Sequence, residues 1–331
     1  MLGLAFVALA TFLNGCGKSA STGASTGTAS KQPAATTTPA TKPRVGFSQI
    51  GAEGDWRRAN SESIKAEAAA RGFELVFSDA QQKQENQIKA LRSFVAQGVD
   101  VIVLAPVVET GWEPVLKEVH QAGIPVVLTD RTVNVSSPDL FVTFIGADFV
   151  EEGRRAAQWL AKATNGKAIV AELQGTPGSA PAIDRKKGFD EAIKSFPDIK
   201  VIKSQSGEFT RAKGREMMES FLKSPDGKAI TALYAHNDDM ALGAIQAIEE
   251  AGLKPGVDIK IVSIDGVRAA LEAMAAGKLN CSVECNPLLG PILCDTVEAI
   301  VAKRPVSRRI VTPTVVFEQG AGMPDVAQRK Y

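Results

Sequence analysis

The sequence predicts an α/β fold built from two doubly wound parallel sheets. Three observations lead there. From Arg44 onward, apolar runs of strand length alternate with longer stretches of helical period, and such alternation with short connections gives parallel sheets covered by helices on both faces. The alternation starts again after Ile145, and 331 residues suit two lobes better than one core. Finally, several apolar runs stop at charged or amide side chains: Val126-Val127-Leu128-Thr129 at Asp130-Arg131, Thr231–Ala235 near Asn237, Ile261–Ile264 at Asp265. Buried parallel strands read as continuous apolar runs, and ligands of such sheets lie beyond their carboxyl ends.

The elements follow in order. Val45–Ser48 is the first strand, and Trp56–Arg71 a helix closed by Gly72. Phe73–Phe77 is a strand. Lys83–Gln97 carries Ile88, Leu91, Phe94 and Val95 on one face and stops at Gly98, as a helix would. Val99–Ala105 (strand), Trp112–Gln121 (helix), Ile124–Thr129 (strand) and Phe141–Ile145 (strand) complete the first series. The second series has helices near 151–163, 182–195, 212–222, 240–251 and 268–276. Its strands are Ala168–Leu173, Lys200–Lys203, Thr231–Ala235, Lys260–Ile264 and Leu279–Val283. Pro287 begins the last clear helix.

The region before Arg44 reads differently. Leu2–Leu13 is a twelve-residue apolar run, too short to span a bilayer and suited to the h-region of a secretory signal. Leu13-Asn14-Gly15-Cys16 then resembles a bacterial lipobox, so residues 1–16 are expected to be a signal segment with Cys16 lipidated. Several acyl chains at ~0.8 kcal/mol per buried CH₂ would anchor such a protein stably. Residues 17–43 contain Ser, Thr, Ala, Gly, Pro, Lys and one Gln, without Val, Ile, Leu, Met or aromatic residues. That composition builds no core and predicts a disordered tether, with an r.m.s. reach of about 30 Å. The expected location is the cell envelope, outside the cytoplasmic membrane.

Composition narrows the function. Hydrophobic content of 44% and charged content of 23% are ordinary globular values, and a net charge of +1 implies no polyanion partner. No basic stripe or helix-turn-helix pattern supports nucleic-acid binding. Gly-rich dinucleotide and phosphate loops, the G-x-S-x-G elbow and paired metal-binding histidines are all absent from the sequence. No cofactor, no metal and no catalysis are expected. Cys281 and Cys285 fall about 13 Å apart along a strand, beyond disulfide reach; a Cys285–Cys294 bridge is open, and buried thiols are favoured.

The strand-end residues suit a ligand dense in hydroxyl groups. Asp130 accepts hydroxyl hydrogen bonds and Arg131 offers a rigid fork of donors; a surface turn pair is the competing reading. Asn237 both donates and accepts. Asp265, before Gly266, is either a helix cap or a ligand contact. Trp56 follows the first strand, where a ring can stack on the apolar face of a sugar. Asp238 and Asp239 are read as caps of the following helix. Arg185, within the charge run Asp184–Lys187, is weak evidence alone.

Four segments carry a family resemblance: Gln81-Gln82-Lys83-Gln84-Glu85-Asn86-Gln87-Ile88, Ala105–Leu116, Ala235-His236-Asn237-Asp238-Asp239-Met240 and Ile264-Asp265-Gly266-Val267. They resemble the periplasmic sugar-binding proteins of ABC importers, the type I ribose/galactose-binding superfamily, and most nearly its galactofuranose-binding branch. The resemblance implies a three-crossing hinge between a first lobe, 44–147 plus 286–317, and a second, 148–285 plus 318–331. It implies a monosaccharide held by Trp56, Arg57, Asp130, Arg131, Arg185, Phe209, Asn237 and Asp265. Where the ribose-binding type has an amide, this chain has Cys285, which makes ribose doubtful and leaves Glu284 as the expected replacement contact. The implied function is solute capture by hinge closure for ABC permease subunits, by a monomer. A sugar or furanose-signal sensor for a chemoreceptor or kinase is the alternative, and a secreted carbohydrate-active enzyme a more distant one.

Overall fold

The computed structural model describes residues 42–320, 323 and 325–331. The signal segment with Cys16, and the tether up to Thr41, lie outside the described residues. The first sheet contains β1 (Arg44–Gln49), β2 (Glu74–Asp79), β3 (Val101–Leu104), β4 (Val126–Thr129), β5 (Thr143–Gly146) and β11 (Arg309–Val311). Their order is β11-β5-β4-β3-β1-β2, and every pairing is parallel. The second sheet contains β6 (Lys167–Gln174), β7 (Asp198–Ser206), β8 (Ala232–Ala235), β9 (Lys260–Asp265), β10 (Cys281–Glu284) and β12 (Val316–Glu318). Its order is β12-β10-β9-β8-β6-β7, with β12 antiparallel to β10.

Helices α1 (Asp55–Arg71), α2 (Gln84–Ala96), α3 (Glu113–Gln121) and α9 (Gly290–Val301) cover the first sheet. Strand β3 shows why it is buried on both faces. Ile102 and Leu104 join Leu91, Phe94 and Trp112 in one core, while Val101 and Val103 join Ile64, Leu293 and Val297 in another. Alternate residues point to opposite faces, so a strand sandwiched between two helical layers has no polar face. The second sheet carries α4 (Phe149–Ala163), α5 (Ala180–Ile193), α6 (Arg211–Lys223), α7 (Asp238–Glu250) and α8 (Arg268–Ala275).

Among the described residues the chain passes between the sheets three times: between β5 and α4, between β10 and α9, and between β11 and β12. The last passage corrects the boundary expected at 317. Val316 and Phe317 already pair with Val283 and Ser282, so the crossing lies before them.

Edge strands account for the other differences. β7 extends to nine residues, against four expected, because it lies at the sheet edge and is only half buried, so its sequence lacks an apolar run. β11 and β12 were not foreseen; each is three residues long at an edge. Cys281, Cys285 and Cys294 are all free and buried.

Candidate ligand-binding site

The carboxyl ends of strands from both sheets surround a small, narrow cavity. From the first sheet, the loop after β1 and the start of α1 supply Glu53, Gly54, Trp56 and Arg57, and the end of β4 supplies Asp130 and Arg131. From the second, α5 supplies Pro181 and Arg185, and the segment after β7 supplies Phe209. The ends of β8, β9 and β10 supply Asn237, Asp239, Asp265 and Cys285.

On the first side, the Arg57 guanidinium is the hub. It reaches Asp130 Oδ2 at 2.6 Å, Glu53 Oε1 at 3.0 Å and Gln49 Oε1 at 3.3 Å. Burial lowers its pKa, but Asp130 and Glu53 outweigh burial and hold it above the usual arginine value. Arg131 donates to the Val107 carbonyl at 3.1 Å and lies 3.6 Å from Glu53 Oε1. Burial and the neighbouring Arg57 bring its pKa down to about 10. Burial pushes the Glu53 carboxyl up, yet Arg57 and Arg131 leave it below its ordinary value. Two buried polar atoms here lack a partner: Glu53 Oε2 and Arg131 Nε. Buried polar groups are rarely left so, and this pair offers one acceptor and one donor.

On the second side, Arg185 donates from Nε to Glu152 Oε2 at 2.8 Å and from Nη1 to the His236 carbonyl at 2.6 Å. Its Nη2 lies 3.8 Å from Asp265 Oδ1. Burial opposes its charge, but Glu152, Cys285 and Asp265 raise its pKa. Burial raises the Asp265 carboxyl well above the usual range; Arg185 offsets this in part, and Asp238 and Glu152 add to it. The Phe209 ring lies under both Arg131 and Arg185, with guanidinium carbons 5.2 and 5.9 Å from its centre. The ring also covers Gly175, where a Cβ would fall 1.9 Å from it.

Three lining residues have left-handed backbones: Asp130 at φ 61°, Phe209 at 62° and Asp265 at 132°. Such conformations cost of order 1–3 kcal/mol each and cluster at ligand clamps. Contacts between the two sides close the cavity. Trp56 Nε1 donates to the Cys285 carbonyl at 2.5 Å, and the Asp55 amide to Asp239 Oδ2 at 3.0 Å. Arg211 Nη2 bridges Asp239 Oδ1 at 2.9 Å and Asp55 Oδ2 at 3.3 Å. Gly54 permits this close approach, since a Cβ there would sit 2.1 Å from Asp239 Oδ2 and push that carboxylate away.

Three guanidinium groups therefore face four carboxylates, with an amide and two aromatic rings among them. The mixture holds no excess positive charge for a phosphate. Its charged donors and acceptors suit a neutral ligand rich in hydroxyls. Among the described residues, no group of three or more His, Cys, Asp and Glu side chains could hold a metal ion.

Comparison with known proteins agrees with this geometry. A family model described as a periplasmic binding protein domain matches residues 45–301. The chain belongs to that family. The chain is 58% identical to the galactofuranose-binding protein YtfQ of Escherichia coli (strain K12), over 77% of this chain and 80% of the relative. It is similar to the periplasmic binding component of the arabinose ABC transporter from Shewanella sp. ANA-3, solved with α- and β-L-arabinofuranose, at 55% identity and a TM-score of 0.82, covering 83% and 92% of the two chains. A Mycobacterium smegmatis protein in complex with β-D-fucofuranose gives 53% identity and a TM-score of 0.81, covering 84% and 91%. The expected fold class and family are thus those observed.

In this periplasmic binding protein, eight of the nine expected contact residues meet at the cavity. Glu284 does not. Its carboxylate accepts from Tyr331 and pairs with Arg329, outside the lining. The reading of Asp238 and Asp239 as caps is also corrected. Asn237 caps α7, accepting from the Met240 amide at 3.0 Å. Asp238 is buried beneath the sheet, bonded to Ser263, Ser282 and the Val267 amide; burial, offset by those bonds, raises its pKa to about 6. Asp239 faces the cavity. Sequence reasoning also missed Glu53, although the rule that selected Asp130 would have selected it, as a carboxylate just beyond a buried strand. Glu152 carried no such signal, because its role is to face Arg185 from a neighbouring helix.

Proposed function

We propose that this chain is an extracytoplasmic solute-binding protein that captures a furanose sugar between its lobes and delivers it to an ABC permease. The observation that carries this reading is the cavity itself: a balanced set of buried guanidinium and carboxylate groups, drawn from both sheets and closed by contacts across them. The furanoses named for the relatives support the ring form. Binding works by hinge closure, in which contacts from the second side stabilise the closed state once the first side has engaged the ligand. A Kd near 1 μM corresponds to about −8 kcal/mol, within reach of several charge-assisted hydrogen bonds and one stacked ring. The ligand contacts are Trp56, Arg57, Asp130, Arg131, Arg185, Phe209, Asn237 and Asp265, joined by Glu53 and Asp239. The protein acts as a monomer without bond chemistry, anchored by a lipid on Cys16.

The test is a thermal-shift and calorimetric screen against pentoses, hexoses, galactofuranose and other furanosides. Ligand at 100 times Kd should stabilise the fold by about 2.7 kcal/mol. Furanosides should shift the melting temperature; a response to none of the sugars, or to pyranosides alone, overturns the reading. Asp130→Ala and Asp265→Ala should each weaken binding at least about tenfold, or ~1.4 kcal/mol, and full affinity in both would remove the site.

The bridge across the cavity mouth has a smaller effect. Arg211 is 43% exposed, so its ion pairs are screened and worth about 0.2–1 kcal/mol. Arg211→Ala should therefore raise Kd by no more than about fivefold, mainly through faster release, measured by stopped-flow dissociation. An unchanged release rate would show that the bridge contributes nothing to closure.

A further inference from the structure

The segment carrying Arg329 and Tyr331 lines no part of the cavity, yet it is fastened to the two backbone stretches that present cavity residues. Arg329 Nε donates to the Gly266 carbonyl at 2.7 Å, immediately after Asp265. Its Nη2 lies 2.8 Å from Glu284 Oε1, immediately before Cys285. The Tyr331 hydroxyl donates to the same Glu284 oxygen at 2.9 Å. The Arg329 side chain is only 12% exposed and that of Glu284 10%. The guanidinium packs 5.0 Å from the Phe317 ring centre and 4.0 Å from that of Tyr331. The segment is itself held by Arg268, whose amide donates to the Tyr331 carbonyl at 2.6 Å.

One side chain thus spans the ends of β9 and β10. Those ends are already joined from within: the Cys285 amide donates to the Asp265 carbonyl at 3.1 Å, and the Gly266 amide to Ser282 Oγ at 2.9 Å. Asp265 sits at φ 132°, a conformation that persists only where surrounding structure over-determines it. The guanidinium fork supplies that constraint from outside the sheet. It fixes two directions at once, which a lysine ammonium on a flexible stem does not reproduce.

We infer that Arg329 and Glu284 are positioning residues for the ligand site, clamping the Asp265-Gly266 turn so that the Asp265 carboxylate is held ready for the sugar. This rests on the proposed role of Asp265 in sugar binding. It gives Glu284, expected as a direct contact but lying outside the lining, a different function: the residue acts on the cavity through the backbone behind it.

A double-mutant cycle tests the clamp. Arg329→Ala and Arg329→Lys should each weaken sugar binding about five- to tenfold, measured at a temperature at which the ligand-free variants remain fully folded. In an Asp265→Ala background, Arg329→Ala should cause no further loss; in an Asp130→Ala background, on the other sheet, its effect should add in full. Affinity within twofold of the parent, rescue by lysine, or the same loss in both backgrounds would overturn the inference. Hydrogen exchange of the ligand-free protein separates it from the reading on which it rests. Arg329→Ala should speed exchange at the Cys285 and Gly266 amides roughly fivefold or more, with the first sheet unaffected. Unchanged exchange there refutes the clamp even if sugars bind, and failure of the unaltered chain to bind any sugar refutes the function instead.

Discussion

Replacing Arg185 with Met should weaken sugar binding more than about a hundredfold and destabilise the protein by roughly 3–5 kcal/mol, the cost of breaking a buried ion pair from one side. Arg185 faces the cavity with one edge and satisfies buried acceptors with the others. Its Nε–Glu152 contact is 2.8 Å, with side chains 4% and 0% exposed. Glu152 Oε1 has no close partner of its own, so removal of Arg185 leaves a fully buried carboxylate with no opposite charge and only the Cys285 thiol beside it. Burial already holds the Glu152 carboxyl above its ordinary value, and Arg185 is the largest influence pulling it back. Without Arg185 the folded-state pKa rises further above that of the unfolded chain. A carboxyl raised in this way leaves stability intact below its unfolded pKa and takes it away as pH climbs through the folded value. The deficit should therefore be largest near pH 7 and shrink toward pH 4–5. Arg185→Met with Glu152→Gln should recover most of the stability but none of the affinity. Urea unfolding at both pH values, paired with calorimetry, separates the two effects. Parent-like stability or retained binding in the single variant would refute this account of the site.

The two halves of that arrangement differed in how visible they were. Val126–Thr129 and Ile261–Ile264 are buried on both faces, so their sequences are nearly pure apolar runs, and Asp130 and Asp265 mark their carboxyl ends directly. Arg185 could be assigned only by resemblance, since a guanidinium within the charge run Asp184–Lys187 reads as a solvated face. Glu152 is legible only in three dimensions: nothing in its own helix tells it from Glu151, which is half buried and paired with Arg154 and Arg155. Asp239 illustrates a conflict of local rules. A carboxylate in the first turn of a helix is favoured by the dipole whatever else it does, so its cavity role was hidden behind a sufficient local explanation. Strands β7, β11 and β12 were blurred or missed because an edge position removes the burial that makes a strand readable.

The position of Arg185 is set by glycines that never touch the cavity, and Gly188→Val should expose that dependence. Helix α5 lies so close to α4 that a Cβ at Gly188 would sit 1.9 Å from the Val150 carbonyl, and one at Gly153 would sit 2.0 Å from the carbonyl of Arg185 itself. Glycine inside a helix costs about 1 kcal/mol relative to alanine; here close approach of the two backbones offsets that cost. Since the obstructing atoms belong to backbone, no side chain can swing away, and the helices must separate. Overpacking of this kind costs about 1–3 kcal/mol and occasionally more, so Gly188→Val should lower stability by roughly 3 kcal/mol and Gly188→Ala by somewhat less. Gly188 lies one turn from Arg185, and Gly153 is adjacent to Glu152. Separating α4 from α5 therefore lengthens the Arg185–Glu152 contact and shifts the guanidinium at the cavity. Binding should weaken about tenfold or more, since productive geometry tolerates only about 0.5 Å of displacement. Gly252→Ala is the control. It has a left-handed backbone but open space around it, so it should cost roughly 1 kcal/mol and leave affinity unchanged. Equal loss of affinity in both variants would mean that general destabilisation weakens binding. A loss confined to Gly188 would show that the spacing of two helices positions a ligand contact neither glycine can reach.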